Sequence, residues 1–287
     1  MTELPRFFAE YQDRVAAEMR RVVPADGGVV ERAMAYTALA PSKQVRAVLV
    51  LLCAELCRGS AAHAVPAAAA IELVHGSSLI LDDLPSMDDA PLRRGRPANH
   101  LASGEAVAIL AAFGLLNLAY GAIARAYDAA LSARLSALLS EAVGPGGLIG
   151  GQALDLQGTD QAITFETLER IHRGKTGALF VAAAACGAVT AGAAAEPLAA
   201  LSAYAKNLGL AFQIVDDLLD VSGHTADTGK AVRADARKTT FVSFSGVEGA
   251  RLLAAELCDT ANLALTPFGA RADRLRELSA FVTARRS

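Results

Sequence analysis

Aspartates gather in two short strings of this chain. LDDLPSMDD, residues 81–89, carries Asp82, Asp83, Asp88 and Asp89, and AFQIVDDLLD, residues 211–220, carries Asp216, Asp217 and Asp220. The first follows AVPAAAAIELVHGSSLI, an oily stretch whose single acid is Glu72. A helix C-terminus already bears partial negative charge, so carboxylates crowded there destabilise the fold unless a cation compensates. His75, Ser78 and Asp82 are spaced by three and four and share one helical face; Gln213, Asp216 and Asp220 repeat the pattern. Carboxylates alone suit hard cations, and Mg²⁺ takes only one or two of them while phosphate oxygens and waters fill its other positions. A diphosphate is the natural third component. Lys43, Arg46, Arg93, Arg94, Lys175 and Lys230, all in or beside helix-breaking segments, would hold its remaining oxygens. Lys238 follows in the same loop as Lys230.

A single such string is often only a solvated helix end with surface ion pairs. Two strings in helices this apolar argue otherwise. Neither has the alternating acids and central glycine of an EF-hand. GPGGLIGGQ, residues 144–152, is glycine-rich but lacks the Lys-Ser/Thr ending of a P-loop.

The elements that must position these residues are helices. Apolar residues recur with helical spacing nearly throughout, Ala, Leu, Glu and Arg dominate, and alternating β-branched runs are missing. Breakers at residues 24–28, 40–42, 59–66, 85–97, 144–151, 158–164, 223–229 and 267–269 leave about ten helices. One of them is expected from about Val65 to Leu84, stopped by Pro85. No low-complexity linker or fixed-period repeat divides the chain, so residues 1–287 read as one all-α domain, a single large bundle around a central cavity.

Composition narrows the function. At 287 residues and 53% hydrophobic content the chain can bury a sizeable core. A net charge of -3 supplies no basic field for nucleic acid or an anionic membrane. Cys53, Cys57, Cys186 and Cys258 match neither a zinc site nor a disulfide framework and read as reduced core residues of a cytoplasmic protein. The charged, amphipathic start MTELPRFFAEYQDRVAAEMRRVV carries no apolar signal. Residues 106–124 and 176–195 approach the roughly 20 residues that cross a bilayer. Both are rich in Ala and Gly and read as central helices of the bundle, so no transmembrane segment is expected.

The ordered motifs resemble the trans-isoprenyl diphosphate synthases, from about Ala35 to Phe241. DDLPSMD is similar to their first aspartate-rich motif, LRRG at 92–95 to the arginine pair after it, and GGQALDL at 150–156, KTGAL at 175–179, FQIVDDLLD at 212–220 and GK at 229–230 fit in order. The resemblance implies an isoprenoid synthase fold and a Mg²⁺-dependent prenyltransferase that joins isopentenyl diphosphate to an allylic diphosphate. It implies three Mg²⁺ ions: Asp82 and Asp88 would ligate two, with Asp83 in support, and Asp216 the third, assisted by Asp220. Arg93, Lys175, Thr176, Gln213 and Lys230 would serve the allylic diphosphate, and Lys238 joins the substrate-binding set. Arg94, Lys43, Arg46 and His75 would serve isopentenyl diphosphate. Asp217 joins the catalytic set, and a homodimer is expected.

Departures bear on particular properties. PSKQVRA at 41–47 places Gln44 where the family has a basic residue, which touches isopentenyl diphosphate affinity. Leu81, DTGK at 227–230 and the short spacer before Lys238 resemble most the geranylgeranyl diphosphate synthases of bacterial carotenoid clusters. A residue one turn below Asp82 lies about 6 Å deeper, near one isoprene unit. Ser77 and Ser78 occupy that level and are too small to plug a tunnel, so a twenty-carbon product is expected, with farnesyl or longer products as alternatives. A terpene cyclase would leave Lys43 and Arg46 unexplained, and a non-catalytic partner subunit would have lost an acidic cluster.

Overall fold

The computed structural model describes residues 6–222 and 238–284. The helices are α1 (Arg6–Val22), α2 (Val29–Ala38), α3 (Val45–Leu56), α4 (Ala61–Asp82), α5 (Asn99–Ser103), α6 (Glu105–Ala126), α7 (Ala129–Val143), α8 (Leu148–Gly158), α9 (Phe165–His172), α10 (Ala178–Thr190), α11 (Ala195–Ser222), α12 (Phe241–Ala264) and α13 (Asp273–Ala284). A π-helical turn, Arg173–Gly177, joins α9 to α10, and a 3₁₀ segment, Thr266–Ala272, joins α12 to α13. The bundle is all-α apart from one small hairpin. Lys230 and the GK motif lie outside the described residues.

α4 is the central element, packed by α3, α6 and α10, while α11 packs between α10 and α12. Ala67, Ala68, Ala69 and Ala70 are fully buried on it, and such small side chains let neighbouring helices come close. α3 and α10 lie close together at Gly187, where a Cβ would stand 2.1 Å from the Val50 carbonyl oxygen. Only glycine fits there.

α4 begins four residues before the sequence expectation, in spite of Pro66. Proline removes one ladder bond and its ring crowds the preceding turn. The hydroxyl of Tyr127 braces the next rung: it accepts from Ala67 N at 3.2 Å and donates to the His63 carbonyl at 2.8 Å. It thus splices itself into the i→i−4 bond that Ala67 would otherwise make to His63. The helix ends at Asp82, two residues short of Leu84, with Asp83 as its C-cap.

By length and composition α4, α6 and residues 195–221 of α11 could each cross a membrane. α4 is enclosed by its neighbours. The stretch 176–195 is no continuous span, because the π turn and the 13-residue α10 divide it.

Candidate active site

The ends of α4, α8 and α11, the π turn, and the hairpin after α4 surround one cavity of about 740 Å³. The hairpin exists because LRRGRP closes on itself: Leu92 pairs with Pro97 and Arg93 with Arg96. The two turn residues, Arg94 and Gly95, have φ of 54° and 71°, the type I′ geometry of two-residue hairpins. Arg93 and Arg94 are thereby aimed in different directions.

Arg93 lies against Asp83, with Nε 3.0 and 3.1 Å from its two carboxylate oxygens. Burial opposes the charge of Arg93, but the Asp83 carboxylate outweighs it and holds the guanidinium firmly protonated. Asp83 is 2% exposed. One residue on a helix turns the side chain by about 100°, so Asp83 serves the hairpin whereas Asp82 faces the cavity.

Asp82, Asp88 and Asp216 all line the cavity. Lys175 places Nζ 2.9 Å from Asp82 Oδ1 and 2.8 Å from Asp155 Oδ2. Lys238 places Nζ 2.6 Å from Asp88 Oδ1 and 2.9 Å from the same Asp155 oxygen. Charges therefore alternate along Asp82, Lys175, Asp155, Lys238 and Asp88. Burial pushes the Asp82 and Asp155 carboxyls up, but the lysines reverse this and leave both below the usual carboxylate range. Burial likewise opposes the Lys175 charge, and Asp82 with Asp155 overcomes it, so that ammonium titrates above the usual lysine range.

The π turn presents Lys175, and α8 lies close against it. A Cβ on Gly151 would meet Lys175 N at 2.1 Å, so glycine is required for this contact. It brings Asp155 of α8 to the lysine, and Gln152, one turn earlier on that helix, donates from Nε2 to Asp82 Oδ1 at 2.9 Å. Neither residue was among the expected site residues. Both stand in GGQALDL, where their i, i+3 spacing beside paired glycines was the available signal.

A second chain of bonds fixes the α11 side. Thr176 Oγ1 donates to Gln213 Oε1 at 2.8 Å, and Gln213 Nε2 donates to Asp217 Oδ1 at 3.0 Å. Asp217 Oδ2 accepts from the Phe241 amide at 3.0 Å. Asp217, 3% exposed, thus anchors the N-terminus of α12, where a carboxylate also meets the favourable end of the helix dipole. Asp220 sits half-buried in the last turns of α11, outside the cavity lining.

Arg46, His75 and Arg94 line another part of the wall. Arg46 stacks on Phe180, 4.7 Å from the ring centre, and its Nη1 is 3.4 Å from His75 Nε2. Arg94 Nη1 reaches the Ala40 carbonyl at 3.4 Å in the loop before α3. Lys43 belongs to that loop, and its own carbonyl accepts from Gln12 Nε2 at 2.9 Å. Beneath them Glu72 is buried and accepts from Ala47 N at 3.2 Å. Burial raises its carboxyl, with Arg46 and Arg94 opposing.

Of the two serines expected on the tunnel wall, Ser78 lines the cavity. Ser77 does not: it is buried against α6, and its hydroxyl donates to the Ala112 carbonyl at 2.8 Å. His172 also borders the cavity, yet neither ring nitrogen has a hydrogen-bond partner among the described residues. Burial lowers its pKa to about 4, with the Asp155 carboxylate opposing, so the ring is neutral.

Among the described residues no three acids or imidazoles converge tightly enough to enclose a metal by themselves. The cavity instead offers single carboxylates flanked by ammonium and guanidinium groups. This set can hold a polyanion and hard cations together.

The polyprenyl synthetase family profile matches residues 28–251. The chain is 39% identical to the farnesyl diphosphate synthase of Geobacillus stearothermophilus, over 86% of each protein. It is 40% identical to the geranylgeranyl diphosphate synthase of Cyanophora paradoxa, over 87% of this chain and 85% of that one. The crystal structure of geranylgeranyl pyrophosphate synthetase from Pyrococcus horikoshii superposes with a TM-score of 0.87 at 30% identity, covering 97% of both chains. Helical architecture, ordered motifs and these likenesses agree: the chain belongs to the polyprenyl synthetase family and is a prenyltransferase with the isoprenoid synthase fold.

Proposed function

We propose that the protein condenses isopentenyl diphosphate with allylic diphosphates, in the presence of Mg²⁺, to give geranylgeranyl diphosphate and diphosphate. The observation that carries this reading is the presence of two separate basic sets in one cavity. Lys175 and Lys238 stand among the aspartates, while Arg46, Arg94 and His75 stand on another part of the wall. Two diphosphates need two such sets; a cyclase, with one diphosphate, needs one.

The donor set fits Mg²⁺. Asp82 and Asp88 would hold it on one side and Asp216, with Asp220, on the other, as hard oxygen ligands. When bound, the metal would neutralise diphosphate charge and make that group a better leaving group. Lys175 and Lys238 add fixed positive charge at the same oxygens, which favours breaking the allylic C1–O bond. Thr176 and Gln213 place hydroxyl and amide oxygens on the wall beside Lys175, where their partial negative charge suits an allylic cation. Arg46 and Arg94 hold isopentenyl diphosphate so that its double bond faces that carbon. The new C–C bond forms there, and the proton lost goes to the departing diphosphate.

Ser78 supports a twenty-carbon product, because its small side chain leaves the wall below Asp82 open. Farnesyl and longer products are the competing outcomes. The outer face of α6 supports a homodimer: Leu110 and Phe113 are 54% and 64% exposed there, and a second copy is the cover the family likeness favours. Four free thiols fit a reducing, cytoplasmic setting.

The test incubates purified protein with Mg²⁺, labelled isopentenyl diphosphate and each allylic primer, followed by chromatography of the hydrolysed products. A twenty-carbon alcohol is expected. Cyclic hydrocarbons would point to a cyclase, and no turnover to a partner subunit.

A further inference from the structure

Asp155 has no part in the metal and diphosphate sites as read above, yet it is the centre of the charge network. It is buried on α8, and a single oxygen, Oδ2, accepts from Lys175 Nζ at 2.8 Å and Lys238 Nζ at 2.9 Å. Two ammonium groups on one oxygen repel each other strongly in a buried setting, so a carboxylate between them is what keeps them together. Each lysine spends its other contact on a cavity aspartate, Lys175 on Asp82 at 2.9 Å and Lys238 on Asp88 at 2.6 Å. A lysine ammonium rides on a flexible four-carbon stem with three donors, so it can leave one acceptor while keeping another.

We propose that Asp155 is a positioning residue, a pivot that gathers Lys175 and Lys238 into one pair for the allylic diphosphate. Before that ligand arrives the two ammonium groups rest on Asp82 and Asp88 and offset their mutual repulsion. When it arrives they turn from these carboxylates to phosphate oxygens, still held by Asp155, and so free Asp82 and Asp88 for metal. Diphosphate and metal then bind as one event. The pivot rests on the synthase reading above.

Two measurements on Asp155→Asn test it. In metal-free protein, reductive methylation of Lys175 and Lys238, read by mass spectrometry against exposed Lys206, should accelerate when the shared anchor loses its charge. In excess Mg²⁺, calorimetric titration with inorganic pyrophosphate should show affinity about tenfold weaker than wild type, the order expected for a lost charged hydrogen bond. Asp155→Glu should restore it to within about threefold, since the charge is kept. Should the Asn variant fail to fold, Asp155→Ser removes the same charge and carries the same expectations. Labelling or pyrophosphate affinity unchanged from wild type in the folded, uncharged variant would overturn the pivot. Wild-type protein that bound no magnesium pyrophosphate would instead refute the synthase reading, and the pivot with it.

Discussion

Arg93 lies flat against Asp83, so the second aspartate of the DD pair looks away from the cavity that the first one faces. The two positions should fail in different ways. Asp83→Asn breaks a buried ion pair and should cost about 3 kcal/mol of stability, read by chemical denaturation, while leaving partial turnover. Asp82→Asn also loosens the Lys175 ion pair and should lower stability somewhat, but its distinguishing mark is a loss of at least about a hundredfold in kcat, because its oxygen serves charge in the transition state.

His172 should impose a stability loss in mild acid. Its folded pKa of about 4 lies below the ordinary value of 6.5, so the imidazole is neutral when folded and takes up a proton more readily when unfolded. The contribution is fully present above pH 6.5 and is lost as pH falls from 6.5 toward 4, by up to about 3 kcal/mol at 1.36 kcal/mol per unit. NMR titration of His172 gives the pKa directly. Melting curves between pH 7 and 4.5 should lose part of their slope in His172→Phe, whose ring can stack on Phe241 as the imidazole does.

The exposed apolar face of α6 should be a contact between copies. Phe113→Glu places a charge on it, and light scattering at micromolar concentration should then report monomer where wild type should give dimer. An unchanged mass would exclude this face.

Adjacent serines on α4 should respond oppositely to the same substitution. Ser78→Phe puts a ring into the cavity wall and should shorten the main product from twenty carbons to fifteen, seen on chromatography. Ser77→Phe pushes the ring into packed α6, should cost about 1–3 kcal/mol or more, and should leave product length alone in whatever protein folds.

These contrasts show what the sequence can and cannot disclose. Helical spacing was enough to find the bundle, and the twin aspartate strings were enough to find the cavity, because both are local patterns. The split between Asp82 and Asp83 depends on a hairpin ten residues on, and that between Ser77 and Ser78 on the rotation of α4 relative to α6. Asp155 is not legible there, because one acid in a short, weakly patterned helix carries no sign of the two lysines it meets, at separations of 20 and 83 residues. The start of α4 is not legible either, because proline normally marks a boundary.

That boundary has a wider meaning. The rung beside Pro66 is bridged by a tyrosine 60 residues away from the amide it serves. A synthetic peptide of residues 61–82 would accordingly fray on the N-terminal side of the proline, because the first turns of the central helix lean on a hydroxyl just past the end of α6. The innermost scaffold of the enzyme is therefore completed from outside, by a side chain that another helix delivers.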